Sequence, residues 1–163
     1  KMKTRIYLSI IGLMAFSFLF VSCSKDDEGD TVKPVINLLE PEEGAVLKIG
    51  DANGVHFEMD IADNEAIASY KINIHNNFDG HSHTRASEGG TTKPFAFERT
   101  YTDKAGQKQA RVHNHDIKIP ADATPGNYHL MVYCLDRSGN ETYVARNIVL
   151  STTGGVESEH HHD

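Results

Sequence analysis

No tryptophan occurs in the sequence, and aromatic residues make up only 8% of it, which counts against a sugar-stacking platform of large rings. Missing too are the signatures of common catalytic sites. There is no Gly-x-Ser-x-Gly elbow, no phosphate-cradling glycine loop and no His-Glu-x-x-His, and no glutamate is placed as a general base. The expectation is a protein that is not an enzyme. No amphipathic helix and no internal repeat can be picked out, which turns the reading towards strands. Basic residues are in the minority, 16 Lys and Arg against 23 Asp and Glu, and they do not cluster with aromatics. That balance argues against nucleic acid or an anionic lipid surface as a partner.

Only two cysteines are present, Cys23 and Cys134. Cys23 closes an apolar run from Ile6 to Val21 that follows a short basic start, Lys3-Thr4-Arg5. The run is shorter than the ~20 residues of a spanning helix and has the layout of a secretory signal. Phe20-Val21-Ser22-Cys23 resembles the lipobox of bacterial lipoproteins, which implies lipidation at Cys23 and attachment to a membrane through that lipid. Behind it, Ser24-Lys25-Asp26-Asp27-Glu28-Gly29-Asp30 resembles the acidic surface-export signal of Bacteroidetes lipoproteins. The address implied is the outer leaflet of the outer membrane, exposed at the cell surface. Without Lys1, Lys3 and Arg5, the 16 basic residues become 13 against 23 acids, near −10. Cys134 is then left without a partner for a disulfide, so hydrophobic burial must hold the fold. The expected organisation is a lipoprotein signal peptide at 1–23, an acidic linker at 24–33, one β-sandwich at 34–152 and a His-containing tail at 153–163.

Alternating apolar residues and turn signals divide the domain into strands. Residues 35–39, 55–61, 67–76, 95–101, 111–119 and 141–150 read as strands, with 46–49 a short edge segment. Residues 127–135 form the central strand, launched by Pro125-Gly126 and closed by the turn Asp136-Arg137-Ser138-Gly139-Asn140. Tyr128 directly after a Pro-Gly corner resembles the tyrosine corner of an immunoglobulin-like sandwich. By that resemblance Tyr128, Leu130, Val132 and Cys134 face the core and His129 faces out. The fold expected is all-β, an immunoglobulin-like antiparallel β-sandwich of about seven strands. Ala62-Asp63-Asn64-Glu65-Ala66 is a loop of the kind that carries calcium in cadherin-like modules, but the sequence reveals no second full ligand set beside it.

Histidine is plentiful where tryptophan is absent: the chain has 10. His81-Ser82-His83 and His113-Asn114-His115 are His-x-His pairs, and residues two apart in a strand share a face. Neutral imidazole suits zinc, copper, nickel or iron, whereas calcium and magnesium prefer oxygen. His75 and His129 are expected on one outer face, with the loop after His75 returning His81 and His83 over it. The candidate metal ligands are therefore His75, His81, His83, His113, His115 and His129, with Asp79 and Asp116 as carboxylate partners. The parity of His113 and His115 matches that of Ile117 and Ile119, which look like core. Either the strand bulges between them or the two His sit at the sandwich edge. His56 reads as a solvent-facing residue beside Glu58 and Asp60, and His160-His161-His162 is kept apart from any structured site.

As a set, the signal with Cys23, residues 74–79, 81–83 and 113–120, and Pro125-Gly126-Asn127-Tyr128-His129 resemble a family of uncharacterised Bacteroidetes surface lipoproteins. Its members pair one immunoglobulin-like domain with His-rich motifs, and no settled function comes with the resemblance. The leading expectation is a surface-anchored, non-enzymatic lipoprotein that binds a transition metal or a metal-bearing ligand beside an outer-membrane uptake system or surface protein. The alternative is an adhesin-like module that binds a glycan or protein through loops or an aromatic platform of Tyr101, Tyr133 and Tyr143, or a plain spacer, with no metal.

Overall fold

The computed structural model describes residues 29–77 and 91–154. They form eight strands: β1 (Val35–Glu40), β2 (Val46–Lys48), β3 (Phe57–Ala62), β4 (Ile67–Asn76), β5 (Phe97–Tyr101), β6 (Gln109–Asn114), β7 (Gly126–Asp136) and β8 (Glu141–Ser151). Two sheets result, of order β1-β3-β6 and β2-β8-β7-β4-β5. The all-β expectation holds. One pairing differs from an all-antiparallel sandwich, because β2 adds to β8 in parallel. It is reached through a corner at residues 41–45 rather than a hairpin, so nothing forces it to run against its neighbour.

The sheets face each other through the apolar half of each alternation. Phe57, Met59 and Ile61 of β3 meet Ile72 and Ile74 of β4 and Leu130 and Val132 of β7, all essentially without solvent contact. Side chains of this size stabilise by about 1.5–3 kcal/mol each when fully buried, so this seam accounts for cohesion without a disulfide. Cys134 belongs to it as a free, buried thiol. Burial, with the charges of Asp63 and Asp136 beside it, pushes that thiol up to about 11.

Tyr128 forms the corner that its place after Pro125-Gly126 predicts. Its hydroxyl donates to the Thr124 carbonyl at 2.7 Å and accepts from the Phe95 amide at 3.1 Å. Phe95 is thus tied to the corner, and the ladder of β5 starts two residues later.

The parity conflict after His113 is resolved by a break in the strand. Val112 and Ile117 both point inward, although an unbroken strand would put residues five apart on opposite faces. β6 ends at Asn114, whose side-chain oxygen accepts the Asp116 amide at 3.2 Å. That local turn absorbs one residue, leaving His113 and His115 exposed and Ile117 in the core.

Candidate cation site

At the end of the sandwich where β3 and β7 finish, three aspartates converge. Asp63 follows β3 and turns the chain into β4: its Oδ1 accepts the amides of Glu65 at 2.9 Å and Ala66 at 2.7 Å. Short carboxylates favour such turns because one oxygen replaces a missing backbone acceptor. The other oxygen, Oδ2, is then aimed away from the turn. It is buried without a hydrogen-bond partner, on a side chain that is only 9% exposed.

Asp136 closes β7. Its Oδ1 accepts the Asn140 amide and its Oδ2 the Asn140 side-chain nitrogen, both at 2.7 Å. Gly139 makes this turn with φ 92°, a conformation that β-carbons disfavour. Burial pushes the Asp136 carboxyl up, but the hydrogen bonds from Asn140, Gly139 and Ser138 together outweigh it and hold the carboxyl below its usual value.

The third acid, Asp30, comes from the segment read as linker. Its Oδ1 accepts the Val32 amide and the Asn64 side chain, both at 3.0 Å, and its carbonyl accepts Asn140 Nδ2 at 2.9 Å. Its Oδ2 is also buried and unpartnered. Asn140 therefore bridges Asp30 and Asp136, and Asn64 anchors Asp30 beside Asp63.

One oxygen from each of Asp30, Asp63 and Asp136 lies within 4.8 Å of the other two. Among the described residues none of the three takes part in an ion pair. Three carboxylates at this spacing repel one another, and two orphaned oxygens add an unmet demand for a positive partner. Calcium takes 6–8 oxygens at about 2.3–2.6 Å, so ligands on opposite sides of the ion stand about 5 Å apart. The donor set and its spacing fit a hard divalent cation. All-oxygen chemistry does not favour zinc, copper, nickel or iron held by imidazole.

Among the described residues the predicted imidazole ligands do not gather into one site. His75 and His129 are cross-strand partners on the outer face of the five-stranded sheet, ring centres 5.5 Å apart. This matches the face expected for them. His113 and His115 stand on the outer face of the other sheet, across the core. His81, His83, Asp79 and Cys23 lie outside the described residues. Asp116 pairs with Arg99 at 3.2 Å instead of orienting a ring. A polar surface groove of about 750 Å³ beside β2, lined by Glu42, Glu43, Lys48 and Asp51, lies at the other end of the strands from the aspartates.

Of the metal-site features, the sequence exposed the 62–66 loop but not its partners. Asp30 sat in an acidic run and Asp136 in an ordinary turn. The available signal was Asp63-Asn64 paired with Asp136…Asn140, two Asx-rich turns that each follow a core strand.

No curated protein matches the chain. A family model described as "Domain of unknown function (DUF4625)" matches residues 21–151, a span that takes in all eight strands and all three aspartates. The chain belongs to that DUF4625 family.

Proposed function

We propose that this protein is a non-catalytic, surface-tethered interaction or spacing module of the immunoglobulin-like kind, clamped by one calcium ion where its tether enters. The observation that carries the cation is the trio Asp30, Asp63 and Asp136 with two buried, unpartnered oxygens. The ion joins three parts of the chain that are remote in sequence: the segment before β1, the β3–β4 loop and the β7–β8 turn. The immunoglobulin-like assignment is supported by the sheet orders and by the Tyr128 corner. Lipid attachment at Cys23 and an outer-membrane, cell-surface address are proposed from the signal-like start and the acidic stretch behind it.

An interaction role finds support on the five-stranded sheet. Tyr133 and Tyr143 are directly paired there, ring centres 5.8 Å apart, with the Lys71 ammonium 4.4 Å from the centre of the Tyr133 ring. Tyr143 is 60% exposed. Tyr101 does not join them, because its ring stacks on Tyr70 at 4.7 Å. A surface tyrosine pair, one ring half-buried and the other exposed, flanked by a cation suits a protein or glycan surface.

Calorimetric titration of chelator-treated protein tests the cation. The expected result is one calcium per chain, with a Kd in the range of about 0.1–1 mM typical of extracellular modules. Asp30→Asn and Asp63→Asn should each weaken it strongly. Absence of calcium binding in the unsubstituted protein would leave a plain module without a metal.

A further inference from the structure

We propose that the outer face of the three-stranded sheet carries a second, separate metal site, in which His56, His113 and His115 bind one Zn²⁺ or an ion of similar chemistry. His56 is the member that the sequence hides. It lies 57 positions from His113 along the chain, and only the β3–β6 register brings the two together. Glu58 is paired with His113, and His56, two residues before Glu58, shares its face. The turn at Asn114 then delivers His115 to the same face.

The spacing of the rings carries the proposal. Their centres are 4.9 Å (His56–His113), 5.3 Å (His56–His115) and 5.5 Å (His113–His115) apart. Zinc–nitrogen bonds of about 2.0–2.1 Å, with each ring centre about 1.1 Å behind its nitrogen, put three imidazoles around a tetrahedral ion about 5.2 Å apart. The rings already stand at coordination distance from one another. As they stand they do not bring three nitrogens within 4.8 Å of one another, a spacing that among the described residues only the carboxylates reach. Turning an exposed ring is a picosecond-to-nanosecond motion, so aiming the nitrogens requires no change of fold.

The supports are rigid. Val55 donates to the Ile117 carbonyl at 2.9 Å, and Lys118 Nζ grips the carbonyls of Ala52 at 3.0 Å and Asn53 at 2.6 Å. Gly54 lies so close that an added Cβ would come within 2.5 Å of the His115 carbonyl oxygen. The turn carrying His56 is thus locked against the segment carrying His115. Glu58 Oε1 is held by Arg111 at 2.8 Å, while its Oε2 stands 3.9 Å from His56 Nε2. That second oxygen is placed to orient a ligating ring or to supply a fourth donor. The His75–His129 pair has no comparable third imidazole among the described residues, and Asn73 already occupies His75 Nδ1 at 2.7 Å.

The test is a zinc titration of the full chain carrying His160→Ala, His161→Ala and His162→Ala, kept in excess calcium so that the aspartates are not the acceptor. One zinc per chain is expected. Each of His56→Ala, His113→Ala and His115→Ala should weaken it at least about 10-fold, the scale on which even supporting groups matter at metal sites. His75→Ala/His129→Ala and His81→Ala/His83→Ala should leave it unchanged. All three ligands are exposed, so unaltered melting curves will show that the variants fold. No stoichiometric zinc, or zinc binding that ignores the three substitutions, overturns the proposal. Repeating the titration with Asp63→Asn separates the sites, since loss of calcium binding should leave zinc affinity untouched.

Discussion

Asp63→Asn should have opposite effects on stability with and without calcium. The asparagine keeps an acceptor for the Glu65 and Ala66 amides that now bond Oδ1. Its amide nitrogen replaces the unpartnered Oδ2 and can donate to Asp30 or Asp136. Two unit charges about 5 Å apart at an effective dielectric of about 20 repel by roughly 3 kcal/mol. The substitution removes two such pairs from the cation-free protein. After relaxation and screening, a net gain of about 1–3 kcal/mol remains, within the usual range for single substitutions. In calcium the balance reverses. At about 5 mM calcium and a Kd of about 0.1–1 mM, the unsubstituted protein gains about 1–2 kcal/mol. For a domain of this size that is a rise in Tm of about 4–12 °C. Thermal unfolding by circular dichroism, in chelator and in calcium at matched ionic strength, reads both effects. The variant should melt higher than the unsubstituted protein in chelator and should not respond to calcium. If it melts lower in chelator, or gains as much from calcium as the unsubstituted protein, the three aspartates are not a cation site.

Two further outcomes follow from the packing. Tyr128→Phe leaves the Thr124 carbonyl and the Phe95 amide without the hydroxyl that satisfies both, and should cost about 1–3 kcal/mol. Urea unfolding should show it as a lower midpoint at unchanged slope, while Tyr133→Phe, whose hydroxyl makes a weak 3.4 Å contact with Met131 Sδ, should change little. Cys134 should resist iodoacetamide at about pH 8, since a thiol raised to about 11 is only about one part in a thousand thiolate there. Full labelling is expected on unfolding, and rapid labelling of the native protein would contradict its place in the core.

Local patterns in the sequence revealed local structure well. Alternation placed β4 at residues 67–76 with Tyr70, Ile72 and Ile74 on one face, and the likeness to an immunoglobulin-like sandwich turned His75 out beside His129. Pro125-Gly126 before Tyr128 marked the corner. What stayed hidden depends on register between distant strands. His56 looked solitary because its neighbours come from β6 and the turn after it, and the 62–66 loop looked incomplete because the carboxylates that meet Asp63 are Asp30 and Asp136. An acidic run and an Asx turn are common enough that neither reports a ligand until the fold superimposes them. The turn at Asn114 was half visible, since the parity of His113 and His115 with Ile117 and Ile119 called for a bulge or an edge position, but nothing in His113-Asn114-His115-Asp116 marks where the strand breaks.

The position of Asp30 also bears on how the domain carries force. β1 enters at the aspartate end, where Val35 pairs with Ala62, and β8 leaves at the other end, where Ser151 pairs with Lys48. Tension applied between the two ends of the domain therefore runs along the strands. The ladders lie across that line, so the hydrogen bonds of β1 with β3 and of β8 with β7 are loaded in parallel, by shear, and do not open one at a time like a zipper. A cation gripping Asp30 would take up the pull before it reached β1, acting as a mechanical stop whose strength varies with the calcium in the surroundings.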